Sequence, residues 1–102
     1  MSWNNGDLEI DYTQLQVKHK GKETGLTPNE FKLLSAMIKY PKKVFTREEL
    51  IETAFGMDYE GFERTIDSHI KNLRSKIEND SASPKYVVTV RGIGYKFGGD
   101  DI

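Results

Sequence analysis

Two helix starts constrain this chain most. Thr27-Pro28-Asn29-Glu30 and Thr46-Arg47-Glu48-Glu49 each place a hydroxyl where an N-cap belongs and a glutamate three residues on, where it closes a capping box. In the first, Pro28 takes the first helical position, where its fixed φ helps and its missing N–H costs nothing. Phe31, Leu34, Met37 and Ile38 follow at helical spacing. Tyr40-Pro41 stops that run, because a residue before proline avoids helical backbone. After the second start, Leu50, Ile51, Ala54 and Phe55 are predicted to turn inward, and Gly56 to end the helix. A third helix is predicted over residues 64–78, with Ile66, Ile70, Leu73 and Ile77 as its apolar stripe.

On either side of the helices the period drops to two. Leu8, Ile10 and Tyr12 alternate with Glu9 and Asp11, and residues 15–19 alternate again before Lys20-Gly21 turns the chain into residues 22–24. These segments predict a small antiparallel sheet. Residues 86–90 and 95–97 flank Arg91-Gly92-Ile93-Gly94 and predict a closing hairpin. Residues 56–63 show no period and residues 79–84 form a polar loop. The organisation expected is a linker remnant over residues 1–7, one domain over residues 8–97 and a flexible tail over residues 98–102. The fold class is α+β: an N-terminal antiparallel sheet, three helices and a C-terminal hairpin.

A chain of 102 residues builds one core. Folding at this size buries roughly 65% of the surface exposed by the unfolded chain, enough without staples. Cysteine is absent, which excludes disulfides and thiolate metal sites. No apolar run approaches the roughly 18 residues of a membrane span, and no signal segment opens the chain, so a cytoplasmic location is expected. Asp67 and His69 lie two apart on a helix and point in different directions. His19 sits between Lys18 and Lys20, and Glu48, Glu49 and Glu52 belong to a helix start, where negative charge suits the dipole. No phosphate-binding glycine loop or metal-ligand spacing occurs. Neither an enzyme, a metal nor a cofactor is expected.

Charge is unevenly placed. Residues 1–63 carry eight Lys/Arg against eleven Asp/Glu, whereas residues 64–97 carry seven against three. The third helix, with its stripe inward, would show Arg64, Asp67, Ser68, Lys71, Asn72 and Ser75, with His69, Arg74 and Lys76 on the flanks. Cations can neutralise phosphates, and Ser or Asn can reach base edges. By itself this face fits either a solvated helix or a nucleic-acid reader. Arg91 opens a two-glycine turn, which offers little bulk to obstruct a narrow groove. The same glycines also serve an ordinary hairpin.

The stretch Arg64-Thr65-Ile66-Asp67-Ser68-His69-Ile70-Lys71-Asn72-Leu73-Arg74-Ser75-Lys76, followed by Val90-Arg91-Gly92-Ile93-Gly94-Tyr95-Lys96-Phe97, resembles the output domains of OmpR/PhoB-type response regulators. Leu26-Thr27-Pro28-Asn29-Glu30-Phe31-Lys32-Leu33-Leu34 and Thr46-Arg47-Glu48-Glu49-Leu50 resemble the same family, in matching order. The resemblance implies a winged helix-turn-helix that binds double-stranded promoter DNA, with the third helix in the major groove and the hairpin as a wing at the minor groove. It implies that Asp67, Ser68, Asn72 and Arg91 contact bases. It assigns Arg64, Thr65, His69, Lys71, Arg74, Thr89 and Tyr95 to the DNA backbone, and Met57, Asp58, Tyr59, Glu60 and Phe62 to RNA polymerase.

The implied partners are direct-repeat DNA, a second copy of the chain, an upstream receiver domain and a sensor histidine kinase; an isolated domain of a longer protein is expected, with an atypical regulator that lacks a receiver as the alternative. Asn72 stands where some relatives carry arginine, which exchanges a guanine contact for one suited to adenine. Phe55 stands where tryptophan is common. A competing reading makes this winged helix a protein-contact module anchored by Tyr59 and Phe62.

Overall fold

The computed structural model describes residues 1–56 and 63–99, the side chains of Glu63 and Arg64 excepted. Strands β1 (Ser2–Trp3), β2 (Leu8–Asp11), β3 (Gln16–His19) and β4 (Lys22–Glu23) form an antiparallel sheet in chain order. Ile10 pairs with Val17, and both bury against the helices together with Leu8, while Glu9 and Asp11 point to solvent. Period-two alternation thus sets the register, because a one-residue slip would exchange the faces.

The first residues depart from the expected linker. β1 pairs with β2, and Trp3 is only 3% exposed, with its ring edge-on to Phe97 at 5.3 Å. An indole of this size gains more from burial than a two-residue strand loses in entropy, so the chain start is drawn into the sheet. At the other end, the Gly98 N–H donates to the Tyr86 carbonyl at 2.8 Å, carrying hairpin pairing one residue into the segment read as tail. Residues 100–102 lie outside the described residues.

Helix α1 (Pro28–Lys39) and helix α2 (Arg47–Phe55) begin as the two capping boxes require. The Thr27 hydroxyl accepts the Glu30 N–H at 3.2 Å, and the Glu30 carboxylate accepts the Thr27 N–H at 2.9 Å. Thr46 and Glu49 repeat the exchange at 3.1 and 3.0 Å. Gly56 follows α2 as its cap. Helix α3 (Glu63–Ile77) buries the whole predicted stripe, Ile66, Ile70, Leu73 and Ile77, against Leu33, Leu34, Met37 and Leu50 in one core. Lys76 reaches back from α3 to the buried Glu30 carboxylate at 2.6 Å and so ties the start of α1 to the third helix.

A second sheet has the order β5-β7-β6, built from β5 (Phe45–Thr46), β6 (Val87–Val90) and β7 (Gly94–Phe97). The sequence reading contained the hairpin but not β5, whose two residues are too few to show a period. Phe45 pairs with Tyr95, which fastens the hairpin to the chain immediately ahead of α2. Among the described residues no helix is long and apolar enough to cross a membrane.

Candidate nucleic-acid interface

With its apolar stripe buried, α3 turns Ser68, Lys71, Asn72 and Ser75 to solvent. Their spacing keeps them on one helical face. The Ser75 hydroxyl donates to the Asn72 carbonyl at 2.6 Å, leaving the Asn72 amide side chain at the surface. Lys71 is exposed, and Thr65 and His69 are half-buried at the flanks. Arg64 lies in the first turn of α3, its side chain outside the described residues.

Asp67 is differently placed. Its Oδ1 accepts the Arg47 Nε–H at 2.8 Å and the Tyr95 hydroxyl at 2.6 Å. Burial alone would raise this carboxyl, but the two hydrogen bonds and the Arg47 charge outweigh it and hold it below the usual aspartate value. Tyr95 is buried, and burial together with the Asp67 carboxylate pushes its phenol above the ordinary value. Arg47 gives its guanidinium a further contact, 5.9 Å from the centre of the Tyr95 ring.

Arg74, two turns along α3, makes a second set of bonds to the hairpin. Its Nε donates to the Val87 carbonyl at 2.9 Å and Nη2 to the Thr89 hydroxyl at 2.6 Å, while the guanidinium lies 5.5 Å from the Tyr95 ring centre. Thr89 is itself exposed and lies opposite Tyr95 in the hairpin register. A third connection comes from Glu78, whose buried carboxylate accepts the N–H groups of Lys85, Tyr86 and Val87 at 2.8–3.1 Å. These bonds satisfy donors where β6 begins, so the hairpin leaves the helix at a set point. At its tip the Ile93 N–H donates to the Val90 carbonyl at 3.0 Å, and Arg91 and Ile93 stand exposed. Gly92 has φ +77°, backbone that a side chain rarely adopts.

The structure therefore brings Asp67, Arg74, Thr89 and Tyr95 into one polar belt, and leaves Ser68, Lys71 and Asn72 on an open helix face with Arg91 on the hairpin turn. Met57, Asp58, Tyr59, Glu60 and Phe62 lie outside the described residues. Sequence reasoning missed two contributors. Arg47 reads locally as a first-turn residue of α2, and its partner comes from twenty residues further on. Glu78 reads as the end of a solvated face, although its carboxylate is buried. Neither carries a local signal.

An N-terminal sheet, three helices and a hairpin bonded along the third of them constitute a winged helix-turn-helix, with short polar and cationic side chains on the open face of the third helix. The chain belongs to the OmpR/PhoB family of response-regulator DNA-binding domains. Its residues 21–97 match the family described as "Transcriptional regulatory protein, C terminal". It is 43% identical over 93 residues to the DNA-binding response regulator MtrA of Mycolicibacterium smegmatis, covering 91% of this chain and 41% of that protein. The response regulator DrrB of Thermotoga maritima, an OmpR/PhoB homologue, superposes with a TM-score of 0.84 at 39% identity, over 95% of this chain and 44% of DrrB.

The DNA-binding domain of Klebsiella pneumoniae RstA, solved in complex with the RstA box, superposes with a TM-score of 0.81 at 28% identity, over 96% and 95% of the two chains. The chain thus spans about two fifths of the length of the curated relatives it matches. The family is one of DNA-binding transcription regulators, not of enzymes.

Proposed function

We propose that this domain binds double-stranded promoter DNA in sequence-specific fashion as the output half of a two-component response regulator, with α3 in the major groove and the hairpin at the minor groove. The observation that carries the reading is the outward face of α3. It shows Ser68, Lys71, Asn72 and Ser75, while the neighbouring carboxylate of Asp67 is paired with Arg47 instead of facing a phosphate unpaired. The RstA domain, similar in shape, was solved on a DNA box, which supports duplex DNA as the ligand.

In this reading Ser68 and Asn72 reach base edges, Asn72 suiting adenine, and Arg91 enters the minor groove. Arg64, Thr65, His69 and Lys71 meet the DNA backbone. Arg74, Thr89 and Tyr95 contribute to the same contact through the belt they form with Asp67. Two copies bind direct repeats, an upstream receiver and its sensor kinase govern the domain in the cytoplasm, and no cofactor takes part. The segment containing Met57, Asp58, Tyr59, Glu60 and Phe62 meets RNA polymerase. Substituting Tyr59 or Phe62 is expected to spare duplex binding and lower transcription in a reconstituted assay; loss of both together would reduce these side chains to structural supports.

The test is selection of sites from a random duplex library by the purified domain, followed by a salt titration of the enriched sequence. About six phosphate contacts give a log–log slope near -5. A module that contacts only protein would enrich nothing and show no such slope.

A further inference from the structure

Asp67 lies on the same helical face as Lys71, one turn away, where α3 would meet a strongly negative duplex. A carboxylate there opposes binding unless it does something that outweighs repulsion. Its side chain is 44% exposed, yet Oδ1 is already taken by donors from two other elements, Arg47 at the start of α2 and Tyr95 on β7. Those two short bonds occupy Oδ1 and fix the plane of the carboxylate, so only Oδ2 remains for any contact with a base, in an orientation set by Arg47 and Tyr95. Arg47, in turn, spends its Nε on Asp67 and keeps a side chain 42% exposed, so the remaining donors of the guanidinium stay within reach of a phosphate. Tyr95 passes the restraint on, because Arg74 packs over its ring and bonds Val87 and Thr89 beyond it.

We propose that Asp67 is a positioning residue: it holds Arg47 of α2 and Tyr95 of the wing against α3, so that Arg47 and the wing meet the DNA backbone as one pre-set edge, and it reads no base itself. The proposal rests on the DNA-binding reading above. Preorganisation is the physical benefit, since an arginine fixed before binding loses less side-chain freedom on meeting its phosphate. The isosteric amide of asparagine retains an oxygen that can accept from Arg47 and Tyr95; alanine does not.

The experiment measures affinity and salt slope, on a selected and on an unrelated duplex, for the wild-type domain and the variants Arg47→Ala, Asp67→Ala, Asp67→Asn and the double variant Arg47→Ala/Asp67→Ala. Thermal denaturation checks that each is folded, and Arg47→Ala reports on the same contact from the other side. The expected result is a loss of about tenfold on both duplexes for each alanine variant, the scale of one charge-assisted contact. The salt slope falls by about 1. The double variant loses clearly less than the product of the two single losses, because only the Tyr95 hold is left to lose once Arg47 is gone, and Asp67→Asn retains most of the affinity.

Tighter binding by Asp67→Ala to every duplex would overturn the proposal, because Asp67 would then only repel phosphate. So would a loss confined to the selected duplex with changed preference at one base pair, which marks a base reader, or additive losses in the double variant. A wild-type domain that binds no duplex overturns the DNA-binding reading and this proposal with it, whereas the other outcomes overturn the positioning role alone.

Discussion

At the scale of single residues, DNA binding as proposed divides the surface into groups that would carry sequence information and groups that would carry charge. Arg91 stands at the head of a turn whose next residue, Gly92, takes left-handed backbone, and its side chain is exposed. Replacing Arg91 with Ala should weaken binding to the selected duplex by about 1–3 kcal/mol, the range of a good groove contact. Unchanged affinity in a titration would remove the wing tip from the mechanism. Replacing Lys71 with Ala should weaken all duplexes alike and lower the salt slope by about 1; an effect at one base position would contradict a backbone role. The exposure of Lys71, Ser68 and Asn72 was legible in the sequence, because it follows from the phase of the apolar stripe, and that of Arg91 from its place at a glycine turn. The bonds of Asp67 were not legible, since its partners lie 20 and 28 residues away.

At the scale of elements, the hairpin is useful only if it is held at a set distance and angle from α3. The Glu78 carboxylate, the Arg74 guanidinium and the Asp67–Tyr95 bond act along the helix, and β5 closes the arrangement from the far side. At Gly94 the backbone of β5 packs directly against β7: a Cβ there would collide with the Phe45 carbonyl. The sequence alone assigned this glycine to the turn, whereas its φ is ordinary and its function is close approach. Gly94→Ala is therefore expected to cost about 1–3 kcal/mol, the usual penalty for overpacking, and to displace the wing. A drop in melting temperature together with weaker duplex binding would show this. Full stability would mean that β5 can move aside without consequence.

At the scale of the whole molecule, the N-terminal sheet and the wing share one core. Trp3 meets Phe97 edge-on, and Phe97 stacks on Tyr86 at 6.2 Å, so the first strand braces the last hairpin. Trp3→Ala should destabilise the domain by about 3–5 kcal/mol, measured by denaturant unfolding. A change below about 1 kcal/mol, within the ordinary range of surface substitutions and small repacking, would return residues 1–3 to the status of a linker. Acid should loosen the same architecture. Burial would raise the Glu30 carboxyl, but Lys76 and Thr27 outweigh it and hold it below its ordinary 4.5. A carboxyl depressed in the folded state contributes stability that is complete at neutral pH and is lost as pH falls below the ordinary value, through the folded one. Unfolding midpoints measured from neutral pH downward should fall in that window, and Glu30→Gln should flatten the fall; an unchanged profile would remove Glu30 from the acid response.

The sequence by itself determined the order of the three helices and the longer strands, both capped helix starts, the buried stripe of α3 and the open face opposite it. All of these depend on neighbours within one or two turns or on a strict period, and short-range sterics and hydrogen bonding decide them. Tertiary structure alone decided that Trp3 joins the sheet, that Phe45-Thr46 forms a strand, that Glu78 is buried and that Asp67 belongs to Arg47 and Tyr95. Each of those outcomes depends on which distant group arrives with a complementary surface or hydrogen-bond donor. A bulky ring, a two-residue strand or a carboxylate acquires its role only when chain folding supplies that partner.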